Sequence, residues 1–498
     1  MEYIVTSSEM QKIDATTIKE IGIPGMVLME KASLKMFQIM VERFDQTNRI
    51  CIVAGCGNNG GDGLALGRML IEEGYDVTIQ VVGNVLRASD QFMDQMQILM
   101  SLGIKVEKEA DYNNFDILVD AIFGVGLSRP IEGHYKEVIE AMNAANAYKI
   151  AVDAPSGICC TTGNVLGVAL KCDLTITFGL MKRGLLLYPG HDYAGEVIVS
   201  NIGFPKLVIN ALKPTAYTFT AKDLGNLPAR VNHSNKGTYG KVLIVAGAKN
   251  MAGACYLSAK AAYMMGAGLV QILTDEANRT ILQTLIPEAV MTTYESDLEA
   301  KERLEAVMGQ CKSVVIGPGM GVSERTKMLL EILLKNYEGT LIIDADACNV
   351  VNDVVKRSGI SLREAKPEII FTPHLKEASR MTGVSVSDII RERFDVAEAF
   401  AKGNDCVLVL KDARTVVTDG DGFFYINSTG NNGMSTGGSG DVLSGIIAGI
   451  AAGAEDVKEA ASLGVFIHGR CGDFAAEEKG VRSLMAGDLL EYLPAAIR

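Results

Sequence analysis

Asp441 closes the run Asn431-Asn432-Gly433-Met434-Ser435-Thr436-Gly437-Gly438-Ser439-Gly440-Asp441, after which an apolar helix of small residues is expected from Val442. A helix start this rich in glycine is shaped to receive an anion. Its first N–H groups lack partners, its dipole is positive there, and glycine lets a ligand approach the backbone closely. A carboxylate beside such a site repels a phosphate unless it accepts a proton from a hydroxyl that attacks or leaves. Asp also suits an N-terminal cap, so this pattern alone leaves Asp441 as either a general base or a cap.

A second glycine cluster lies far upstream. The run Arg49-Ile50-Cys51-Ile52-Val53-Ala54 reads as a buried strand leading into Gly55-Cys56-Gly57-Asn58-Asn59-Gly60-Gly61-Asp62-Gly63, with a helix expected from Leu64 to Glu73. Gly55, Gly57 and Gly60 have the spacing of a dinucleotide fingerprint. The next strand-like run, Val77–Val82, ends in Gly83-Asn84 and not in the acidic residue that would hold a ribose, which counts against a redox dinucleotide domain. Asn58, Asn59 and Asp62 instead offer amide and carboxylate oxygens, suited to a polar ligand or a hard cation. Two ligand sites are therefore expected.

The elements that must position these residues alternate between strand-like and helical patterns. In the first half the strands read Ile50–Ala54, Val77–Val82, Ile117–Asp120, Ile150–Asp153, Leu174–Phe178 and Val197–Val199. In the second they read Lys241–Ala246, Leu269–Leu273, Ser313–Ile316, Thr340–Asp344, Ile369–Thr372, Cys406–Lys411 and Thr415–Thr418. Such alternation predicts two α/β domains with mostly parallel sheets, and ligands in such sheets bind beyond the carboxyl ends of strands. Asp120, Asp153 and Asp344 sit at those ends, followed by Phe123-Gly124-Val125-Gly126-Leu127-Ser128-Arg129-Pro130, Ala154-Pro155-Ser156-Gly157 and Ala345-Asp346. Each taken singly could equally be a turn or cap residue. The proline-containing stretch from Pro205 to about Pro228 looks like the connection, giving domains at 1–212 and 226–498 with a linker at 213–225.

At 498 residues the chain is too long for one core, and its 48% apolar content is enough for two. A net charge of −13 argues against a nucleic-acid or anionic-membrane surface and favours small-molecule partners. Ten dispersed cysteines without metal-ligand spacing point to reduced thiols and a cytoplasmic setting, and five histidines disfavour a multi-histidine metal centre. No run has the length or flanks of a membrane span or signal peptide. A homo-oligomer is expected.

Gly57-Asn58-Asn59-Gly60-Gly61-Asp62-Gly63 together with Val152-Asp153-Ala154-Pro155-Ser156-Gly157 resembles the epimerase domain of NAD(P)HX repair. The second half resembles the partner dehydratase, through Gly237-Thr238-Tyr239-Gly240-Lys241, Gly317-Pro318-Gly319, Asp344-Ala345-Asp346, Thr372-Pro373-His374 and Gly437-Gly438-Ser439-Gly440-Asp441. The resemblance spans essentially the whole chain, in the order of the fused bacterial proteins. It implies a Rossmann-like three-layer domain followed by a ribokinase-like one. It also implies repair of NADH and NADPH hydrated at C6: interconversion of the R and S hydrates, then dehydration of the S form with ADP as co-substrate, giving AMP and phosphate. K+ at the epimerase site and Mg2+ with the nucleotide are implied cofactors.

Carried onto this chain, the epimerase substrate set falls on Asn58, Asn59, Gly60, Gly61 and Asp62, on Gly124, Val125, Gly126, Leu127, Ser128, Arg129 and Pro130, and on Asp153 as catalytic residue. The potassium ligands fall on Asn59, Asp120 and Ser156. The dehydratase substrate contacts fall on Ala254, Gly319, His374, Leu375, Lys376, Glu377, Ala378, Ser379 and Arg380, with Asp441 as the base. Lys411, Asp412, Ala413, Arg414, Thr415, Gly437, Gly438, Ser439 and Gly440 attend the nucleotide. Leu375-Lys376 stand where a Pro-Gly is commoner and Val125 where a Thr is commoner; Lys376 is the departure that could alter substrate contacts. Competing readings are a ribokinase-superfamily small-alcohol kinase with a non-catalytic Rossmann-like module, and a nicotinamide dehydrogenase.

Overall fold

In the computed structural model, which describes residues 1–498, the chain divides between Thr215 and Ala216 into two units, with Met1–Glu2 grouped with the second. The segment 213–225 is more than a linker. It carries the strand Ala216–Thr218 and a 3-10 turn from Ala221, both in the second unit, and strands this short leave no periodicity to read.

The first unit is built on six parallel strands in the order Asp76–Val82, Arg49–Gly55, Ile117–Ala121, Tyr148–Val152, Leu174–Phe178 and Glu196–Ser200. The central strands are buried on both faces, which is why they read as continuous apolar runs instead of alternating ones. One face packs Ile50, Ile52, Val119 and Ile150 under Leu28, Met36, Leu66 and Leu70; the other packs Cys51, Val53 and Leu118 under Val138, Ile139 and Met142. Each such fully buried Leu or Ile contributes about 1.5–3 kcal/mol. Chain order reverses between Arg49–Gly55 and Ile117–Ala121, and that crevice is where an open α/β sheet receives its ligand.

The second unit has strands in the order Val290–Tyr294, Leu269–Asp275, Lys241–Val245, Ser313–Ile316, Thr340–Ile343, Glu368–Phe371, Val407–Leu410, Val416–Thr418, Phe424–Ile426 and Ala216–Thr218. The first seven are parallel, and Val416–Thr418 runs against both of its neighbours. Its reversal point lies between Lys241–Val245 and Ser313–Ile316.

The helix Ser439–Ala451 is apolar all round because it is enclosed on all sides. Its glycines explain the close packing on Ala252–Met264: a Cβ on Gly445 would lie 2.1 Å from the Ser258 carbonyl. No helix is long and apolar enough to cross a membrane. All ten cysteines are free.

Candidate active sites

In the first unit the glycine cluster is not a loop. The helix expected from Leu64 begins at Asn58 and runs to Glu72, so Asn58, Asn59, Gly60, Gly61 and Asp62 form its opening turns. The reason is close packing: a Cβ on Gly60 would lie 1.7 Å from the Gly55 carbonyl, and one on Gly61 2.6 Å from Met29. Gly60 and Gly61 are thus packing positions against the strand and its neighbouring helix. Asn58, Asn59 and Asp62 line a cavity of about 960 Å3, together with Gly124, Val125, Gly126, Leu127, Ser128, Arg129 and Asp153. Pro130 is exposed outside that lining.

Asp153 follows the strand Tyr148–Val152 with φ +63°, a left-handed conformation that costs a non-glycine residue about 1–3 kcal/mol. Its Oδ1 accepts from Lys182 Nζ at 2.6 Å, and from Thr177 Oγ1 and the Phe178 N–H at 3.2 Å each. Lys182 and Asp14 line the same cavity, and sequence reasoning did not find them. Lys182 sits in the two-residue strand Met181–Lys182, far too short to show a pattern, and Asp14 lies on the helix Ser7–Lys19 without a motif.

Behind the cavity, Asp120 is fully buried. Its carboxylate accepts from Ser156 Oγ at 2.6 Å, from the Ser156 N–H at 2.7 Å and from the Ile122 N–H at 3.1 Å. Burial pushes it up to about 6, against the pull of those hydrogen bonds, and no basic side chain compensates its charge. Asn59 stands close by the Gly124 backbone, with its side-chain nitrogen buried and unpartnered. Oxygen donors around one uncompensated carboxylate are chemically suited to a hard monovalent cation.

In the second unit Asp441 is not the cap. The helix begins at Ser439, earlier than Val442, with Gly438 at φ +94° in the capping position and Asp441 within the first turn. The left-handed backbone favours glycine there, and a Cβ on Gly438 would also lie 2.5 Å from Leu257 Cδ1, which would have to move aside. The Asp441 carboxylate is pushed up to about 7, by burial first and then by Asp344, with Lys411 opposing. Lys411 Nζ donates to Asp344 Oδ1 at 2.8 Å and would lie 3.2 Å from a Cβ on Gly440. An ammonium, bare backbone N–H groups and a carboxyl group that titrates near neutrality therefore share one strand-end region.

The long helix Val457–Lys479 braces this region from behind. His468 Nε2 lies 2.9 Å from the Ser439 carbonyl, and Asp473 accepts from the Gly430 N–H and from Asn431 Nδ2. His468 is half-buried, and desolvation holds it down at about 4. Neither residue follows a strand or joins a glycine run, the signals that singled out the other candidates.

Gly319, at φ +60°, comes within 3.0 Å of the Ala254 Cβ when given a Cβ of its own, so Ala254 and Gly319 adjoin. His374 caps the helix Leu375–Thr382: its Nδ1 accepts from the Lys376 and Glu377 N–H groups, while Glu377 accepts from the His374 N–H. The run does not face one way. Lys376 and Arg380 are exposed, Ser379 is half-buried, and Leu375 and Ala378 pack into the core. Beyond Lys411 the expected nucleotide loop is largely self-engaged. Asp412 pairs with Arg393, Arg414 Nη1 donates to the Ser428 carbonyl, Thr415 Oγ1 donates to the Asp412 carbonyl, and only Ala413 is exposed.

Residues 242–495 match the sequence profile of the NAD(P)H-hydrate dehydratase family, and residues 25–184 match that of the YjeF-related protein N-terminus. The bifunctional NAD(P)H-hydrate repair enzyme Nnr of Thermofilum pendens is 37% identical over 506 residues, covering 99% of this chain and 95% of its own. That of Moorella thermoacetica is 36% identical, covering 100% and 97%. Among solved structures, the ADP/ATP-dependent NAD(P)H-hydrate dehydratase from Bacillus subtilis, co-crystallized with ATP/Mg2+, matches with a TM-score of 0.50 and 30% identity. That match covers 56% of this chain and 96% of the other. Similarity of this extent, running through both units and both strand-end sites, makes the chain a member of the bifunctional NAD(P)H-hydrate repair enzyme family.

Proposed function

We propose that the first unit interconverts the R and S hydrates of NADH and NADPH, and that the second dehydrates the S form with ADP, releasing AMP and phosphate. The observation that carries this reading is Asp441: a carboxyl group near pH 7, inside the first turn of a glycine-capped helix, next to an ammonium group. Hydroxide is a poor leaving group, whereas a phosphate ester at C6 departs readily as the ring nitrogen returns its electron pair. Asp441 accepts the C6 hydroxyl proton as the oxygen attacks the terminal phosphorus. Lys411, held by Asp344, and the N–H groups from Gly437 to Gly440 receive the charge that builds on the phosphate oxygens. The nucleotide is taken as its Mg2+ complex.

In the first unit, Asn59, Asp120 and Ser156 are the residues that would hold K+, whose charge would compensate the buried Asp120 carboxylate. The setting we propose is cytoplasmic, in keeping with ten free cysteines.

Phosphorus NMR of purified S hydrate with either nucleotide tests the reading. We expect NADH, AMP and phosphate from ADP. Turnover on ATP at about a tenfold advantage would overturn the choice of nucleotide, and phosphorylation of a small alcohol without any NADH formation would favour a kinase instead.

A further inference from the structure

The first-unit cavity is lined by three carboxylates, Asp14, Asp62 and Asp153, and only Asp153 has a charged partner inside it. That partner, Lys182, is 1% exposed and donates to both Asp153 Oδ1 and the Phe178 carbonyl, at 2.6 and 2.7 Å. Its backbone is fixed by parallel pairing with Val5. A lysine tied down at both acceptors is not reaching for solvent. A buried ion pair gives little net stability over an apolar pair of the same shape, so the consequence of this one is geometric. Lys182, Thr177 and Phe178 all bond the same oxygen, Oδ1, so none of the three occupies Oδ2 of this cavity-lining carboxylate.

Resting on the epimerase reading above, we infer that Lys182 is the positioning residue that presents Asp153 Oδ2 as the base for the C6 hydroxyl, and that Asp62 is the proton donor paired with it. Asp62 has no basic partner, and burial together with the charges of Asp153 and Asp14 raises it well above the ordinary carboxylate range. The hydroxyl proton passes to Asp153 Oδ2 as the C6–N1 bond breaks. The bonding pair goes to N1, where Asp62 delivers a proton. The aldehyde so formed turns about the C5–C6 bond, and the reverse transfers close the ring with the opposite configuration. No oxidant or co-reactant is consumed.

The titratable groups around Asp153 are Lys182, Asp14, Asp62 and the buried Cys160 thiol, which burial holds far above its ordinary range. The test follows conversion of resolved R hydrate to S by proton NMR, in the full chain without nucleotide, for Lys182→Met, Lys182→Arg and Asp62→Asn, with kcat and KM read separately. Without Lys182 the Asp153 carboxylate loses a donor that fixes its Oδ1, so we expect Lys182→Met to lower kcat by about tenfold or more with KM near the parental value, and Lys182→Arg to restore it. Asp62→Asn should lose about a hundredfold or more in rate.

A Lys182→Met variant with a parental kcat, or with its loss in KM alone, would overturn the inference. An Asp62→Asn rate above about a tenth of the parental one would overturn the donor assignment. Should Lys182→Met fail to fold by near-ultraviolet circular dichroism, Lys182→Arg decides: a parental kcat supports the positioning role, and a loss of about tenfold or more refutes it. A parent that does not epimerise at all would sink the underlying reading, which is a different result from variants that behave like an active parent.

Discussion

Asp441 titrates near neutrality because burial and Asp344 together outweigh Lys411. The base proposed above must be ionised to act, so dehydration should rise with pH through about 7 and then level off, measurable as kcat on S hydrate. The same shift has a stability counterpart. The folded-state value lies above the unfolded one, so the folded chain holds this proton more firmly, and stability falls as pH rises from about 4 to about 7. Asp441→Asn should therefore gain thermal midpoint relative to the parent over that window and keep the gain above it. It should also lose dehydration by at least about a hundredfold while still binding ADP in calorimetry. At this scale Asp441 was legible because a glycine run announces it. Lys182 was not, since a buried lysine has meaning only through a partner that chain folding brings to it from 29 residues away.

Both glycine-led helices begin earlier than their sequences suggest, and both for reasons of packing. Glycine-rich stretches read as loops by propensity, yet Gly60 lets Asn58–Glu72 lie against the Gly55 carbonyl, and Gly438 supplies a left-handed cap against Leu257. Tertiary contact overrides local preference at both positions. Gly60→Ala should shift the helix and lower the thermal midpoint, whereas Gly57→Ala, whose added Cβ meets nothing within 4 Å, should change stability by less than about 0.5 kcal/mol. Differential scanning calorimetry of the pair separates the two cases. The parallel central strands were legible as apolar runs, but the strands Glu2–Val5, Ala216–Thr218 and Phe424–Ile426 were not. Three or four residues cannot display a period, and their pairing is set by the rest of the sheet.

At the scale of the whole molecule, each unit carries one reversal of strand order and one strand-end constellation. The α/β class and the bipartite organisation followed from alternation and length. The boundary moved to Thr215–Ala216 because the stretch taken for a linker contributes a strand to the second sheet. If the two chemistries belong to separate constellations, they must separate by mutation. Asp153→Asn should stop epimerisation while leaving dehydration of pure S hydrate near the parental rate. The most direct test is a proton NMR time course of mixed R and S NADH hydrates with ADP, run on the parent, Asp153→Asn and Asp441→Asn. The parent should restore NADH from both epimers, Asp153→Asn should consume only the S share within the time the parent needs for both, and Asp441→Asn should equilibrate the epimers without forming NADH. Full restoration by Asp441→Asn at more than about half the parental rate would show that Asp441 is not the base.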